Sequence, residues 1–214
     1  MARLNLGIPR WSLAPLARRR RRQVVDRFLA WMSPIPDAAT LLDVGGPGLA
    51  TVLLAPYFQT VVAVNLNSGA LSPSHIADPA ESFVKIIGDG SVLPLRDRGV
   101  DLVLCDNVIE HVSEGAREGF VSELRRVAKR GFFITTPNYW FPFEPHYHMP
   151  LFQFLPPRCR EPLLRRASFG FVSDPSEFIG LLSRRDLQRL LPEATVSGIG
   201  FTPFPETLVA WWRQ

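Results

Sequence analysis

Four short groups of residues have types and spacing suited to chemistry. Asp43-Val44-Gly45-Gly46-Pro47-Gly48 follows an apolar run, and Gly88-Asp89-Gly90 comes later. Cys105-Asp106-Asn107 leads into Glu110-His111, and Glu144-Pro145-His146 lies in a stretch rich in proline and aromatic side chains. A glycine-rich turn after a strand lets backbone approach a ligand closely, and in open α/β sheets ligands sit at the carboxyl ends of the strands. The spacing is not the Gly-x-Gly-x-x-Gly of a dinucleotide turn, and a carboxylate at Asp43 would repel a pyrophosphate. It suits a ligand that carries positive groups. His111 and His146 are the candidate catalytic bases, because a near-neutral imidazole can take a proton from a nucleophile. The spacing of Glu144, His146 and His148 could suggest metal ligands. Three donors in a proline-rich loop, without a matching cluster elsewhere in the sequence, argue for no metal.

Those groups need elements to hold them. Thr40–Val44, Thr60–Asn65, Phe83–Ile87, Val100–Cys105 and Phe132–Thr135 are short β-rich runs separated by helical patterns, the alternation of a parallel sheet with crossover helices. The spacing predicts a helix over Ala116–Arg130, with Phe120, Val121, Leu124, Val127 and Ala128 on one face and Gly131 as its stop. Ser183 caps a second helix reaching Leu191, and Ala194–Ile199 with Thr207–Trp212 form a closing antiparallel pair. Residues 137–175 are too long and too rich in proline for an ordinary connection, and are expected to form a cap over the site. Residues 1–36 form a basic helical arm, in which Val24, Val25, Phe28, Leu29 and Met32 recur at helical spacing behind Arg18–Arg22 and Pro34 and Pro36 end the helix. Residues 37–214 are the body.

The totals limit the reading. At 214 residues and 46% hydrophobic, the chain can bury one large core. Residues 1–30 hold eight Arg against one Asp, while the rest of the chain is slightly acidic, so the basicity belongs to the arm. No apolar run is long enough to span a bilayer, no signal-peptide core follows the basic N-terminus, and Cys105 and Cys159 do not suggest a disulfide framework. A cytoplasmic protein is expected, with the arm able to make peripheral membrane contact through Arg18–Arg22 and the aromatic residues Trp11, Phe28 and Trp31.

Taken together, Asp43–Gly46, Gly88–Gly90, Val108–Val112 and Thr136–His146 resemble the class I S-adenosylmethionine-dependent methyltransferase family, in its bacterial type-11-like branch. No one segment is decisive; their order and spacing carry the resemblance, which covers roughly residues 40–136 with later echoes. It implies a three-layer Rossmann-like α/β fold with a mostly parallel seven-stranded sheet and helices on both faces. It also implies S-adenosylmethionine as methyl donor. Asp43, Gly45, Gly46 and Gly48 would form the methionine-side turn, Asn65 would meet the ribose, and Asp89 and Gly90 would flank the adenine. Asp106 and Asn107 would lie where donor and acceptor meet. Two positions depart from the wider family: Pro47 and Leu49 stand where glycine is usual, and Asn65 stands where an acid usually accepts from both ribose hydroxyls.

The expected function is methyl transfer to a small-molecule, lipid-linked or saccharide acceptor. A non-catalytic binding or regulatory protein of the same fold, or a membrane-surface adaptor, are the alternatives. Nucleic acid is disfavoured: Asp106-Asn107-Val108-Ile109 lacks the Asn/Asp-Pro-Pro-aromatic segment of base-methylating enzymes, and the body has no basic surface signature.

Overall fold

Strands buried on both faces need apolar side chains at every position rather than at alternate ones. Thr40–Val44, Thr60–Asn65 and Val100–Asp106 are apolar at most successive positions and form the centre of the sheet. In the computed structural model, which describes residues 4–5, 10–67, 82–156, 158–160, 162, 167–168 and 179–214, they are β1, β2 and β4. The sheet is completed by β3 (Ser82–Ile87), β5 (Ala128–Pro137), β6 (Thr195–Ile199) and β7 (Thr207–Arg213). The seven strands lie in the order β6-β7-β5-β4-β1-β2-β3. All pairings are parallel except those of β7, which runs antiparallel to both β5 and β6.

Helices cover both faces, as the alternation of β and helical patterns predicts. On one side α3 (Arg117–Val127) and α4 (Arg184–Leu190) pack Phe120, Val121, Leu124 and Leu187 against Leu42, Val103 and Phe132. On the other, α1 (Arg10–Met32) and α2 (Leu49–Leu54) pack Val24, Phe28, Met32 and Leu54 against Leu41, Leu102, Leu104 and Phe133. Burying a side chain such as Phe28 removes its apolar surface from water at roughly 25 cal/mol per Å². The apolar side of the N-terminal arm is therefore one wall of the main core. Its Arg20 pairs with Glu206 at 3.2 Å, and its Arg27 donates to the Ser197 hydroxyl at 3.1 Å.

Two boundaries differ from expectation. The helix ends at Val127, and the chain passes directly into β5, where Ala128 pairs with Val100. Sheet hydrogen bonding outcompetes helical continuation there: the Arg130 carbonyl accepts from the Gln214 N–H at 2.9 Å. Gly131 is consequently inside the strand rather than a helix stop. Its φ is +152°, and a Cβ would lie 2.1 Å from the Trp212 carbonyl oxygen, so the strand approaches β7 too closely for any side chain. Ser183 does cap α4, accepting from the Asp186 N–H while the Asp186 carboxylate accepts from the Ser183 N–H.

After β5 the chain turns into a short antiparallel hairpin of Phe143–Glu144 against Met149–Pro150. Tyr147 and Phe152 are buried in a small apolar cluster with Met149, Leu155 and Ile179, and Gln153 donates to the Tyr139 and Phe141 carbonyls. Much of the expected cap beyond residue 156, and the side chain of Trp11, lie outside the described residues.

Candidate functional site

The site begins where β1 ends. The Gly45 N–H donates to the Val64 carbonyl at 2.8 Å, and Gly45 adopts φ +88°, a conformation L side chains rarely take. Asp43 lies beneath this turn at 2% exposure. Thr51 donates its hydroxyl to the Asp43 carboxylate and accepts from the Gly48 N–H at 3.0 Å, so one side chain links the acid to the start of α2. A Cβ on Gly46 would fall 1.6 Å from Asp43 Oδ2. Burial pushes the Asp43 carboxyl up to about 7, partly opposed by the Thr51 hydrogen bond. Asp43 thus holds the turn in place from below.

Asn65 has a second role that its neutral side chain explains. Its amide nitrogen donates to the Gly45 carbonyl at 2.7 Å and the Gly46 carbonyl at 3.2 Å, while its oxygen accepts from the Asn67 N–H at 3.0 Å. A carboxylate cannot donate, so an acid here would leave both glycine carbonyls without that partner. The glycine turn and the departure at Asn65 are one structural feature.

Between this turn and the ends of β2 and β4 lies a cleft of about 480 Å³. Gly45, Asn65, Asp89, Gly90, Asn107 and His111 all contribute to its lining, with Val64, Val108 and Phe120 supplying apolar wall. Asp89 accepts from the Ser91 N–H at 2.8 Å, which fixes its loop. Gly90 is required for packing: a Cβ would stand 2.7 Å from Phe120 and 2.8 Å from Val44. The volume falls in the ~300–1,000 Å³ range of small-molecule sites, and the mix of apolar wall with a few polar groups fits a nucleoside bearing a charged tail. A more open surface cleft of about 730 Å³, lined by Trp140, Arg184, Arg185 and Arg189 among others, shares no residue with it. The glycine-turn cleft is the better site because it lies at the carboxyl ends of the parallel strands.

At the end of β4, Asp106 is paired with Arg21 of α1 and accepts from the Thr135 hydroxyl at 2.6 Å. Asn107, at φ +57°, donates its N–H to Thr135. No sequence signal marks Arg21 among the neighbouring arginines; only the docking of α1 brings it to the site.

Beyond the cleft the hairpin delivers His146. Its Nδ1 lies 2.7 Å from Glu144 Oε1, and Glu144, itself 1% exposed, accepts from the Tyr147 N–H through its other oxygen at 2.6 Å. An Nδ1–H donated to that carboxylate fixes the tautomer and orientation of the ring. The ring of His111 meets it edge to face at 5.2 Å. Glu110 stands alongside, fully buried, with Oε2 accepting from the Thr136 hydroxyl at 3.1 Å. Its Oε1 is buried without a hydrogen-bond partner among the described residues, and His146 Nε2 lies 3.9 Å away, beyond hydrogen-bonding distance. Burial pushes the Glu110 carboxyl up to about 7.

The structure therefore gathers Gly45, Asn65, Asp89, Gly90, Asn107 and His111 at one cleft. It sets Asp43, Gly46 and Gly48 in the supporting turn and ties Asp106 to the arm. His146 comes to His111 and Glu110 from the hairpin. Residues 42–135 match the family model of a methyltransferase domain.

This segment resembles methyltransferase domains.

The chain is 36% identical over 112 residues, 50% of its length, to an uncharacterized methyltransferase of Mycobacterium ulcerans, and covers 42% of that protein. It is 34% identical over 122 residues, 56% of this chain, to a probable S-adenosylmethionine-dependent methyltransferase of Mycobacterium tuberculosis, again covering 42%. The chain thus matches less than half the length of these curated relatives. Among solved structures, the magnesium protoporphyrin IX methyltransferase of Synechocystis with bound SAH aligns at TM-score 0.61 and 17% identity, covering 92% of this chain and 84% of that one. The small RNA methyltransferase HEN1 aligns at TM-score 0.66 and 18% identity over 100% of this chain and 27% of that one. These structural similarities show the fold alone.

Proposed function

We propose that the chain transfers a methyl group from S-adenosylmethionine to a small-molecule or lipid-linked acceptor. The observation that carries this reading is the cleft of about 480 Å³ at the carboxyl ends of β1, β2 and β4, bounded by a glycine turn that Asp43, Thr51 and Asn65 brace from within. When bound there, the donor supplies an electrophilic methyl group on a sulfonium, so holding it in register with the acceptor can provide most of the rate. Gly45 and Gly90 let the backbone come close to the ligand, Asn65 and Asp89 offer polar groups for its ribose and base, and Asn107 stands at the reacting end. An acceptor that must lose a proton would meet His146 Nε2, whose ring Glu144 orients, with His111 between it and the donor cleft.

The neutral to acidic body gives no support to a nucleic-acid acceptor, and Arg20 and Arg21 of the basic run are occupied within the protein. The test is incubation of the full chain with methyl-labelled S-adenosylmethionine and a fractionated extract of small metabolites and lipids. Label is expected in an extractable product and absent with Gly45→Val, whose side chain would strike Val108. Donor binding without any label transfer would instead establish a non-catalytic binding protein of the same fold.

A further inference from the structure

We infer that Glu110, His111 and His146 form a binding site for one divalent transition-metal ion. Each offers a ligand atom, and the three atoms lie within 4.8 Å of one another. The group is assembled from two distant stretches, the turn after β4 and the hairpin after β5, so it is not a by-product of sequence proximity.

Two independent features point to a cation. Glu110 Oε1 is a buried carboxylate oxygen with no hydrogen-bond partner among the described residues, an arrangement that is costly unless a positive charge meets it. Its separation of 3.9 Å from His146 Nε2 is too long for a hydrogen bond. It is close to the roughly 3–4 Å between two ligand atoms that each stand ~2.0–2.2 Å from one ion. The second feature is Glu144. A metal-ligating histidine commonly donates its other ring N–H to a carboxylate, which fixes the tautomer and aims the ring. Glu144 does this for His146 at 2.7 Å and is itself held by the Tyr147 N–H.

Two imidazoles and one carboxylate select a borderline ion of the zinc, cobalt, iron or manganese type rather than magnesium or calcium, which prefer all-oxygen sites. Three protein ligands leave a coordination position open, as in catalytic rather than structural sites. His111 also lines the donor cleft, so the open position would lie on the acceptor side. An ion there would hold an acceptor oxygen and favour loss of its proton, taking over the lone pair that His146 would otherwise use as a base. That last consequence rests on the proposed methyl transfer; the binding site does not.

The experiment uses the full chain carrying Cys159→Ser, which removes the exposed thiol as a competing ligand. After stripping with a chelator, the protein is titrated with Co²⁺, read by visible absorption and calorimetry, and the bound Co²⁺ is then displaced with Zn²⁺. One equivalent is expected to bind with a ligand-field spectrum showing nitrogen ligation. Glu110→Gln, which retains the shape of the side chain and can still accept from Thr136, and His146→Ala should each weaken binding at least ~100-fold. Glu144→Gln should weaken it by ~10–100-fold through the orientation of His146 alone. Circular dichroism and S-adenosylhomocysteine affinity measured on the same samples separate loss of the metal site from loss of the fold or of the donor site. Absence of Co²⁺ binding, or binding unchanged in folded Glu110→Gln protein, would overturn the assignment even if donor binding is intact.

Discussion

Asp43 and Glu110 are both buried carboxyl groups near the carboxyl edge of the sheet, both pushed up to about 7 by burial, yet they are met very differently. Asp43 is closed on its own surroundings: the Thr51 hydroxyl donates to it, and the glycine turn folds over it so tightly that a Cβ at Gly46 would occupy its space. Glu110 has one oxygen bonded to Thr136 and the other without a hydrogen-bond partner among the described residues, facing two imidazoles. Equal burial therefore serves two ends. One acid is a brace whose partners are already present, and the other is a ligand-shaped opening.

The largest effect should come from filling the space beneath the turn. Gly46→Ala would force the Asp43 carboxylate off Thr51, costing about 3 kcal/mol in urea unfolding and abolishing S-adenosylhomocysteine binding. Next, Thr51→Val removes the hydroxyl that links Asp43 to the Gly48 N–H; a loss of about 2 kcal/mol is expected by the same measurement, the usual cost of leaving a buried polar group without its partner.

Asp43 also predicts a pH dependence of stability. Its folded pKa of about 7 lies above the ordinary value of 3.8, so between these limits the folded chain holds a proton that the unfolded chain has released. Its contribution to stability is therefore lost as pH rises through that window and is level above it. Unfolding of the natural chain and of Asp43→Asn, compared at about pH 5 and about pH 7.5, should show a drop smaller by about 2 kcal/mol in the variant. The smallest effect separates the two acids most sharply. Glu110→Gln should change the stability of the metal-free protein by less than about 1 kcal/mol, because the replaced oxygen has no hydrogen-bond partner among the described residues. A loss as large as that of Thr51→Val would erase the contrast.

Much of this architecture is legible in the sequence where one signal dominates locally. Thr40–Val44 and Thr60–Asn65 are mostly apolar at successive positions, and their strands fall where these runs do, because central parallel strands are buried on both faces. The Ser183 cap is equally plain, since its partner Asp186 is three residues away. The end of α3 was not legible. Ala128, Lys129 and Arg130 suit a helix, and only pairing with Val100 and Gln214, from distant parts of the chain, draws them into β5.

At the site the same distinction holds. The glycine turn is visible as a local motif, whereas the reason for Asn65 is not, because its amide bonds to carbonyls twenty and nineteen residues earlier. Glu144, His146 and His148 attract notice by spacing, but the group that forms instead joins His146 to Glu110 and His111, which sit on a different turn. Chain topology, not periodicity, brings these residues together, just as it brings Arg21 to Asp106.

The most direct measurement is calorimetric titration of S-adenosylhomocysteine into the full chain and into Gly46→Ala. Saturable binding at one site is expected in the natural protein and none in the variant. Absence of binding by the natural chain, or equal binding by both, would contradict the placement of the donor at the braced glycine turn.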